Sequence, residues 1–279
     1  MGPSVTWPGH PEFYLLRLTA SGAEQSFTRL ALPAPPEGTA VTGLALSPDG
    51  SKLAVEVDHE RNFQPGLLEI RVYTLATGAF RTWSTNGSTD PEDPGGFTGS
   101  GVDGSQTISW AADSRTLAFD WTNQSVIGVR LLDTAASGHD LIADSRLAVN
   151  LAIPGEDRPG AIAKSKDHIS QCVTDSIMSL DGSAIVCGYA STIMHTLKSA
   201  DTTTGFIRYS TRTGKPTGVL GVSGFPGQSG GDISLHWINS TGKILIGTIL
   251  TPSGTRVAVI NGEKFTPLPG ITGLGAAAW

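Results

Sequence analysis

Four segments of this chain repeat one pattern, in which an apolar strand, a tight turn and a second apolar strand follow one another. Their turns are Asp49-Gly50, Asp113-Ser114, Asp181-Gly182 and residues 239–242. Asp, Asn and Gly tolerate the backbone angles that tight hairpins require. A second hairpin follows each first one, with turns at Thr77-Gly78, Ser137-Gly138, Thr213-Gly214 and Asn261-Gly262. Repeated units of four antiparallel strands predict an all-β fold of β-propeller blades, since stacking such units buries each sheet face on its neighbour.

Composition supports many short strands joined by turns. Charged residues make up 16% of the 279 residues and there are 35 glycines, so residues that favour long helices are scarce. A propeller of this length folds as one domain, and we expect a single domain over residues 1–279. A β-sandwich with similar hairpins is the alternative, but it would not require the same two-hairpin order four times.

The two ends of the chain together predict one further blade. Residues 13–18 and 27–32 have the pattern of an outer hairpin, residues 272–279 that of an innermost strand, and residues 4–7 could supply the missing strand. We therefore expect five blades, one of them shared between the N- and C-termini. The alternative is a fragment of a six-bladed ring.

The turn Ser47-Pro48-Asp49-Gly50 with the following Lys52-Leu53-Ala54 resembles the repeat motif of WD40-like and TolB-like propellers. Over nearly its full length, for example at residues 71–78 and 109–113, the chain also resembles actinobacterial WD40-like repeat proteins of unassigned function. That resemblance implies no catalytic residues. It implies an extracytoplasmic protein anchored through an upstream N-terminal segment; the alternative location is the cytoplasm.

Charge and hydropathy exclude two classes of partner. The net charge of −6 and the lack of a Lys/Arg cluster argue against nucleic acid. No apolar run approaches the roughly 18–20 residues of a membrane span, so direct membrane insertion of this chain is not expected. The expected partner is a protein or a small molecule.

The lengths of the connections predict where a ligand would bind. With strands a to d numbered outward from the propeller axis, the a–b and c–d turns share one face, here called the turn face. The b–c and d–a connections share the opposite face, here called the loop face. Every connection predicted to be long belongs to the loop face, at residues 58–66, 85–105, 144–171, 189–204 and 221–232. Long connections often carry function, so the loop face is the predicted binding surface.

Several residues of that face are candidate binding residues. The set comprises Asp58, His59, Glu60, Arg61, Asp120, Trp121, His168 and His195. The charged run could equally be a solvated loop, Trp121 could be core, and the histidines, with Asp157 beside them, could be ordinary surface residues. His236 falls in a predicted inner strand and is interpreted as a core residue.

Metal and cofactor chemistry receive little support. Oxygen ligands for Ca²⁺ are offered by Asp90, Glu92, Asp93 and Asp103, but their spacing matches no EF-hand loop. No metal site and no cofactor is predicted, with Ca²⁺ as the alternative. Cys172 and Cys187 flank one inner hairpin and are a candidate disulfide, which would suit an extracytoplasmic protein; two free thiols are the alternative.

Three functions remain open on the sequence alone. The first is a non-catalytic binding or scaffold propeller that uses the loop face. The second is an enzyme whose active site lies at the central channel on that face, which would require titratable groups to converge there. The third is a carbohydrate or cell-wall binder, in which an exposed aromatic such as Trp121 would stack on sugars.

Overall fold

A computed structural model describes residues 12–18, 24–37, 39–61, 64–85, 108–122, 127–150, 169–196, 199–225, 233–238, 244–251, 254–261 and 264–267. Regular structure in these residues is all β-strand. A two-stranded sheet comes first, formed by β1 (Tyr14–Leu18) and β2 (Glu24–Arg29). Four sheets of four strands follow it along the chain, here called blades I to IV.

The blades are consecutive in the sequence and antiparallel throughout. Blade I contains β3 (Ala40–Leu46), β4 (Lys52–Arg61), β5 (Gln64–Thr74) and β6 (Phe80–Ser84). Blade II contains β7 (Ile108–Trp110), β8 (Thr116–Thr122), β9 (Ile127–Asp133) and β10 (Ser145–Asn150). Blade III contains β11 (Ile169–Met178), β12 (Ala184–Thr196), β13 (Ser199–Ser210) and β14 (Pro216–Phe225). Blade IV contains β15 (Ile233–Ile238), β16 (Ile244–Thr251), β17 (Gly254–Asn261) and β18 (Lys264–Pro267).

The all-β fold and the four-stranded blades predicted from the repeats are confirmed. The shared blade is not tested, because residues 4–7 and 272–279 lie outside the described part of the chain. The count of five blades and the single domain over residues 1–279 therefore stay predictions.

Two expected b–c loops are wrong. Residues 58–61 continue β4 and residues 64–66 begin β5, while most of residues 189–204 belongs to β12 and β13. The segment around Thr192 and Thr202, which pair with each other, is rich in Thr and contains Ile193. Such residues favour extended structure, and this preference outweighed the polar character from which a loop was expected.

The outer strand of blade II was also placed wrongly. The hairpin turn predicted at Ser137-Gly138 puts the outer strand directly after it, at residues 140–143. Those residues instead make turns, and β10 begins at Ser145. The Asp140 carboxylate accepts hydrogen bonds from the backbone N–H groups of Ile142 and Ala143, both at 2.9 Å. Such side-chain bonding to the local backbone stabilises a turn in place of a strand.

Blade faces pack on one another through apolar side chains. Between blades I and II, Ile70 and Trp83 pack with Phe119 and Leu132, and all four are fully buried. A second cluster joins blades II and III, and a third lies on the other side of blade I, where Phe13 and Leu30 cover it. The junctions between blades I and II and between blades II and III are therefore hydrophobic layers, as a propeller requires.

The a–b turns share one backbone conformation. Gly50 and Gly182 both have φ of 68°, and Ser114 takes the corresponding position in blade II with φ of 51°. A non-glycine residue is strained in this left-handed region. Ser114 is buried, its Oγ accepts a hydrogen bond from the Asp49 N–H at 3.3 Å, and its carbonyl accepts one from Lys52 Nζ at 2.7 Å. These contacts with blade I help to offset the strain.

Candidate functional site

A chain of three ionisable side chains lies near the loop-face end of strands β4 and β5. His59 Nε2 lies 3.0 Å from Glu69 Oε2, and the other oxygen of Glu69 accepts a hydrogen bond from Arg71 Nε. Only 8% of the Glu69 side chain and 10% of the Arg71 side chain is exposed, against 21% for His59. Strand register explains the grouping. Val57 pairs with Glu69 and Val55 pairs with Arg71, and His59 lies two residues after Val57.

The arginine of this group balances the buried carboxylate. Burial lowers the pKa of the Arg71 guanidinium, but the hydrogen bonds and charge interactions with Glu69 and Tyr73 together outweigh burial and raise the pKa above the usual value. Arg71 also donates to the Ala34 carbonyl at 3.3 Å, and Tyr73 donates to the Pro33 carbonyl at 2.8 Å. Blade I is thus tied to the segment that precedes it, and Glu69 orients the His59 ring.

Asp120 and Trp121 have structural contacts. Asp120 accepts hydrogen bonds from the Ser176 hydroxyl and from the Ser176 N–H, the latter at 3.3 Å, and so joins blade II to blade III. Trp121 is 3% exposed and belongs to the core between blades I and II. The expectation that Trp121 lines a channel mouth or stacks on a sugar is wrong, because its ring is covered by packing.

Glu56 occupies in blade I the position that Asp120 has in blade II, four residues after the start of the second strand. It is fully buried and accepts a hydrogen bond from the Thr42 hydroxyl at 2.7 Å. Sequence reasoning missed Glu56, Glu69 and Arg71. One sequence signal could have found them, namely a charged residue within an otherwise apolar strand. A charged residue at such a position is buried when it has partners.

The other predicted site residues are placed by their backbone alone. Asp58, Glu60 and Arg61 lie in β4, and His195 lies at an irregularity near the end of β12. Their predicted places in loops are therefore wrong. His236 lies in the inner strand β15, as expected. The predicted residues outside the described part of the chain are His168, Asp157, Asp90, Glu92, Asp93 and Asp103.

Blade III extends farther toward the loop face than blade II. In β12 the residue equivalent to Thr122, the last of β8, is Ala190, and β12 continues for six residues beyond it. Pairing with β13 continues as far as Thr196 and Ser199. We call residues 191–203 the blade III arm. At about 3.3 Å per residue, six residues extend this hairpin by about 20 Å.

Aspartates organise the opposite, turn face. Hydrogen bonds from the Ser47 hydroxyl and from Ser51 hold the pKa of the Asp49 carboxyl well below its usual range. Burial opposes the same shift at Asp113 and Asp181. The hydrogen bonds from Thr116 and Arg115 to Asp113, and from Ser179 and Ser183 to Asp181, together with nearby arginine charges, outweigh burial and lower both pKa values. These carboxylates are engaged by their own turns.

Cys187 is disulfide-bonded and fully buried. The chain's other cysteine is Cys172, whose backbone lies in the neighbouring strand β11 and pairs with Tyr189.

Among the described residues, no three His, Cys, Asp or Glu side chains come together as a metal site. That same part of the chain contains no helix long and apolar enough to cross a membrane.

Consecutive four-stranded antiparallel blades packed face to face define a β-propeller, the class that the WD40-like and TolB-like repeat motif predicts. No family model matches the chain. No curated protein matches its sequence either, so the actinobacterial resemblance stays a prediction.

Among solved structures, the chain is similar to TolB from Acinetobacter baumannii, with 14% identity and a TM-score of 0.46 over 91% of this chain and 51% of that one. It is similar to the Dos1 propeller, with 13% identity and a TM-score of 0.41 over 91% of this chain and 64% of that one. An acylaminoacyl peptidase shows 9% identity and a TM-score of 0.44 over 82% of this chain and 32% of that one. The chain thus spans about half of that TolB, under two thirds of the Dos1 propeller and about a third of the peptidase.

Proposed function

We propose that this chain is a non-catalytic binding propeller that holds a protein partner on its loop face through the blade III arm. The observation that carries this proposal is the unequal length of equivalent strands. Blade III continues six residues past the point where β8 of blade II ends, whereas the described turns at Gly50, Gly182 and Gly214 on the turn face are tight. Paired strands that extend past their own blade offer backbone and side chains to a partner.

The arm can be removed without touching the blade. Thr192 pairs with Thr202, so residues 193–201 can be replaced by Asn-Gly, which favours a two-residue hairpin turn. The shortened protein is expected to fold with an unchanged unfolding midpoint, because the junction residues Ile185, Ile207 and Tyr209 all remain.

Site-specific photocrosslinking in the native host tests the proposal. A photoreactive phenylalanine is placed at Thr192 or Ile193, two consecutive arm positions, and at the exposed Thr213 on the turn face as the control. We expect one discrete adduct from an arm position and none from Thr213. Unlabelled full-length protein should compete for the partner, and the shortened protein should not. Equal adducts from both faces, or equal competition by the shortened protein, would contradict the proposal.

We also propose an extracytoplasmic location. It is supported by the disulfide-bonded state of Cys187, since disulfides persist in oxidising compartments. Protein isolated with thiols blocked at lysis should show no free thiol before reduction and two after it. Two thiols before reduction would contradict the proposal.

The His59–Glu69 pair favours a second candidate function, an enzyme that uses His59 as a general base. A buried carboxylate that orients an imidazole is a common arrangement for that role. A panel of ester and peptide substrates, tested with the wild type and with His59→Gln, examines this candidate. Turnover that His59→Gln abolishes supports it, whereas no turnover, or turnover that survives the substitution, argues against it.

A further inference from the structure

A groove of about 140 Å³ lies between blades I and II on the turn face, away from the proposed partner surface. Its walls include Lys52, Val72, Phe80, Arg81, Trp83 and Thr134. Strand register explains this lining, since Val72 pairs with Arg81 and Lys52 pairs with Thr74. Thr134 comes from the c–d turn of blade II.

The hydrogen bonds of two cations in this groove go only to neutral carbonyl oxygen atoms. Lys52 Nζ donates to the Ser114 carbonyl at 2.7 Å. Arg81 donates to the carbonyls of Thr134 at 3.3 Å, Ala136 at 2.5 Å and Gly138 at 3.1 Å. Neither cation belongs to an ion pair within the described ranges. Their positive charge therefore remains available to an anion.

The floor of the groove contains a hydrogen-bond donor without an acceptor. Trp83 is fully buried beneath Arg81, whose guanidinium lies 4.6 Å from the Trp83 ring centre. The Trp83 Nε1–H is buried and finds no hydrogen-bond acceptor among the described residues. Such groups are rare in folded proteins, and an absent water or ligand is a usual explanation.

The next blade junction provides a comparison within the same chain. Arg146 takes the place of Arg81 and donates to the Thr211 carbonyl at 3.0 Å, so this arginine is a repeated structural feature. Thr116 stands in place of Lys52, and the position of Trp83 is a bulge at Ala148 and Val149. The ammonium group and the indole N–H are thus particular to the first junction, and repeat architecture does not require them.

We propose that this groove binds a small organic anion, a carboxylate carried on an apolar body about the size of a benzene ring. Lys52 and Arg81 would hold the carboxylate, while Val72 and Trp83, which line the groove, would contact the apolar body. The size follows from the groove, since a cavity of about 150 Å³ holds benzene in another protein. This site is separate from the loop face and does not depend on the function proposed there.

Benzoate is the probe, and benzamide is the neutral control of the same shape. The readout is the NMR signal of the Trp83 indole N–H, identified as the one of six indole signals that Trp83→Phe removes. We expect saturable benzoate binding that shifts this signal, with at least fivefold weaker binding of benzamide. Inorganic phosphate, which lacks the apolar body, should also bind more weakly than benzoate.

Lys52→Gln is expected to weaken benzoate binding about tenfold through loss of a charge-assisted contact, and Lys52→Arg to restore most of it. Lys215→Gln removes the same charge from an exposed position on the turn face of blade III and should change nothing. Thermal unfolding of each variant separates loss of the site from loss of the fold. Equal binding of benzamide or phosphate, or a Lys52→Gln protein that folds and binds as the wild type does, would overturn the proposal.

Discussion

The junction between blades I and II and the junction between blades II and III are built on one plan and completed differently. In both, an arginine of the outer strand, Arg81 or Arg146, donates to a carbonyl of the next blade's c–d turn. Only the first has a tryptophan beneath that arginine and a lysine beside it. Only in the second is a hydrogen bond from Ser176 to Asp120 observed.

This difference separates the contacts that stack one blade on the next from the features that stacking does not require. A contact that recurs at equivalent positions is explained by the need to stack one blade on the next. A buried donor or a cation that appears in one blade alone has no such explanation. The same holds for the extension of β12, which passes the equivalent point by six residues where β4 passes it by three. That criterion leads to Lys52 and Trp83 at the first junction and to the blade III arm.

Of the changes that test this comparison, replacement of Trp83 at the first junction should lower the free energy of unfolding the most. Trp83→Ala removes a fully buried indole and the ring beneath Arg81, so we expect a loss of about 3–5 kcal/mol in the free energy of unfolding. Denaturant unfolding measures it. Phe80→Ala, at a side chain 41% exposed, should lose no more than about 1.5 kcal/mol. Similar losses for both would show that Trp83 does not anchor this junction.

Removal of Arg81 should lower the free energy of unfolding more than removal of Arg146. Arg81→Met removes bonds to three carbonyls and a cation–π contact, with an expected loss of about 1.5–3 kcal/mol. Arg146→Met removes one inter-blade hydrogen bond from an exposed side chain, with an expected loss of about 0.5–1 kcal/mol. The double variant should show additive losses in urea unfolding, because the junctions are separate. A larger loss for Arg146→Met would reverse the comparison.

Two equivalent tyrosines test the cost of an unpaired hydroxyl. Tyr73 donates to the Pro33 carbonyl, whereas the buried hydroxyl of Tyr209 has no partner in the described part of the chain. Burial raises the pKa of Tyr209 to about 12. Tyr73→Phe should lose about 1 kcal/mol, and Tyr209→Phe should lose nothing or gain stability, because an unsatisfied polar group is removed. Calorimetric unfolding midpoints of both variants decide this, and a drop for Tyr209→Phe would reveal a partner.

The smallest expected effect is on stability in acid and concerns Asp133 of blade II. Blades I and III have Thr74 and Ser210 at the equivalent position. The hydrogen bond from Arg115 lowers the pKa of Asp133 to about 2, below the unfolded value of about 3.9. Its contribution is therefore complete above about pH 4 and is lost as the pH falls toward 2. Asp133→Asn should make this acid loss slightly shallower in unfolding measured from pH 5 to pH 2. Both side chains are largely exposed, so high salt should reduce the difference. An identical acid profile for the variant would show that this ion pair does not contribute.

Much of the fold could be predicted because its signals are local. The turn at Asp49-Gly50 and its equivalents requires a left-handed residue between two apolar strands, so the hairpins were found from residue types alone. Strand ends were missed where polar residues continue a strand, as in β4 and β12. Polar character is compatible with a loop or with an exposed strand, and only pairing with a neighbour decides between them.

The sequence by itself determined the repeated blade, because each hairpin depends on residues within a few positions of one another. The tertiary structure decided which side chains meet across blades. Glu69 lies between His59 and Arg71 because of the register of β4 and β5, and Lys52 reaches Ser114 because blade II packs against blade I. Partners from distant positions in the chain have no local signature. For the same reason the sequence left Trp121 open between a surface and a core position, and it lies in the core.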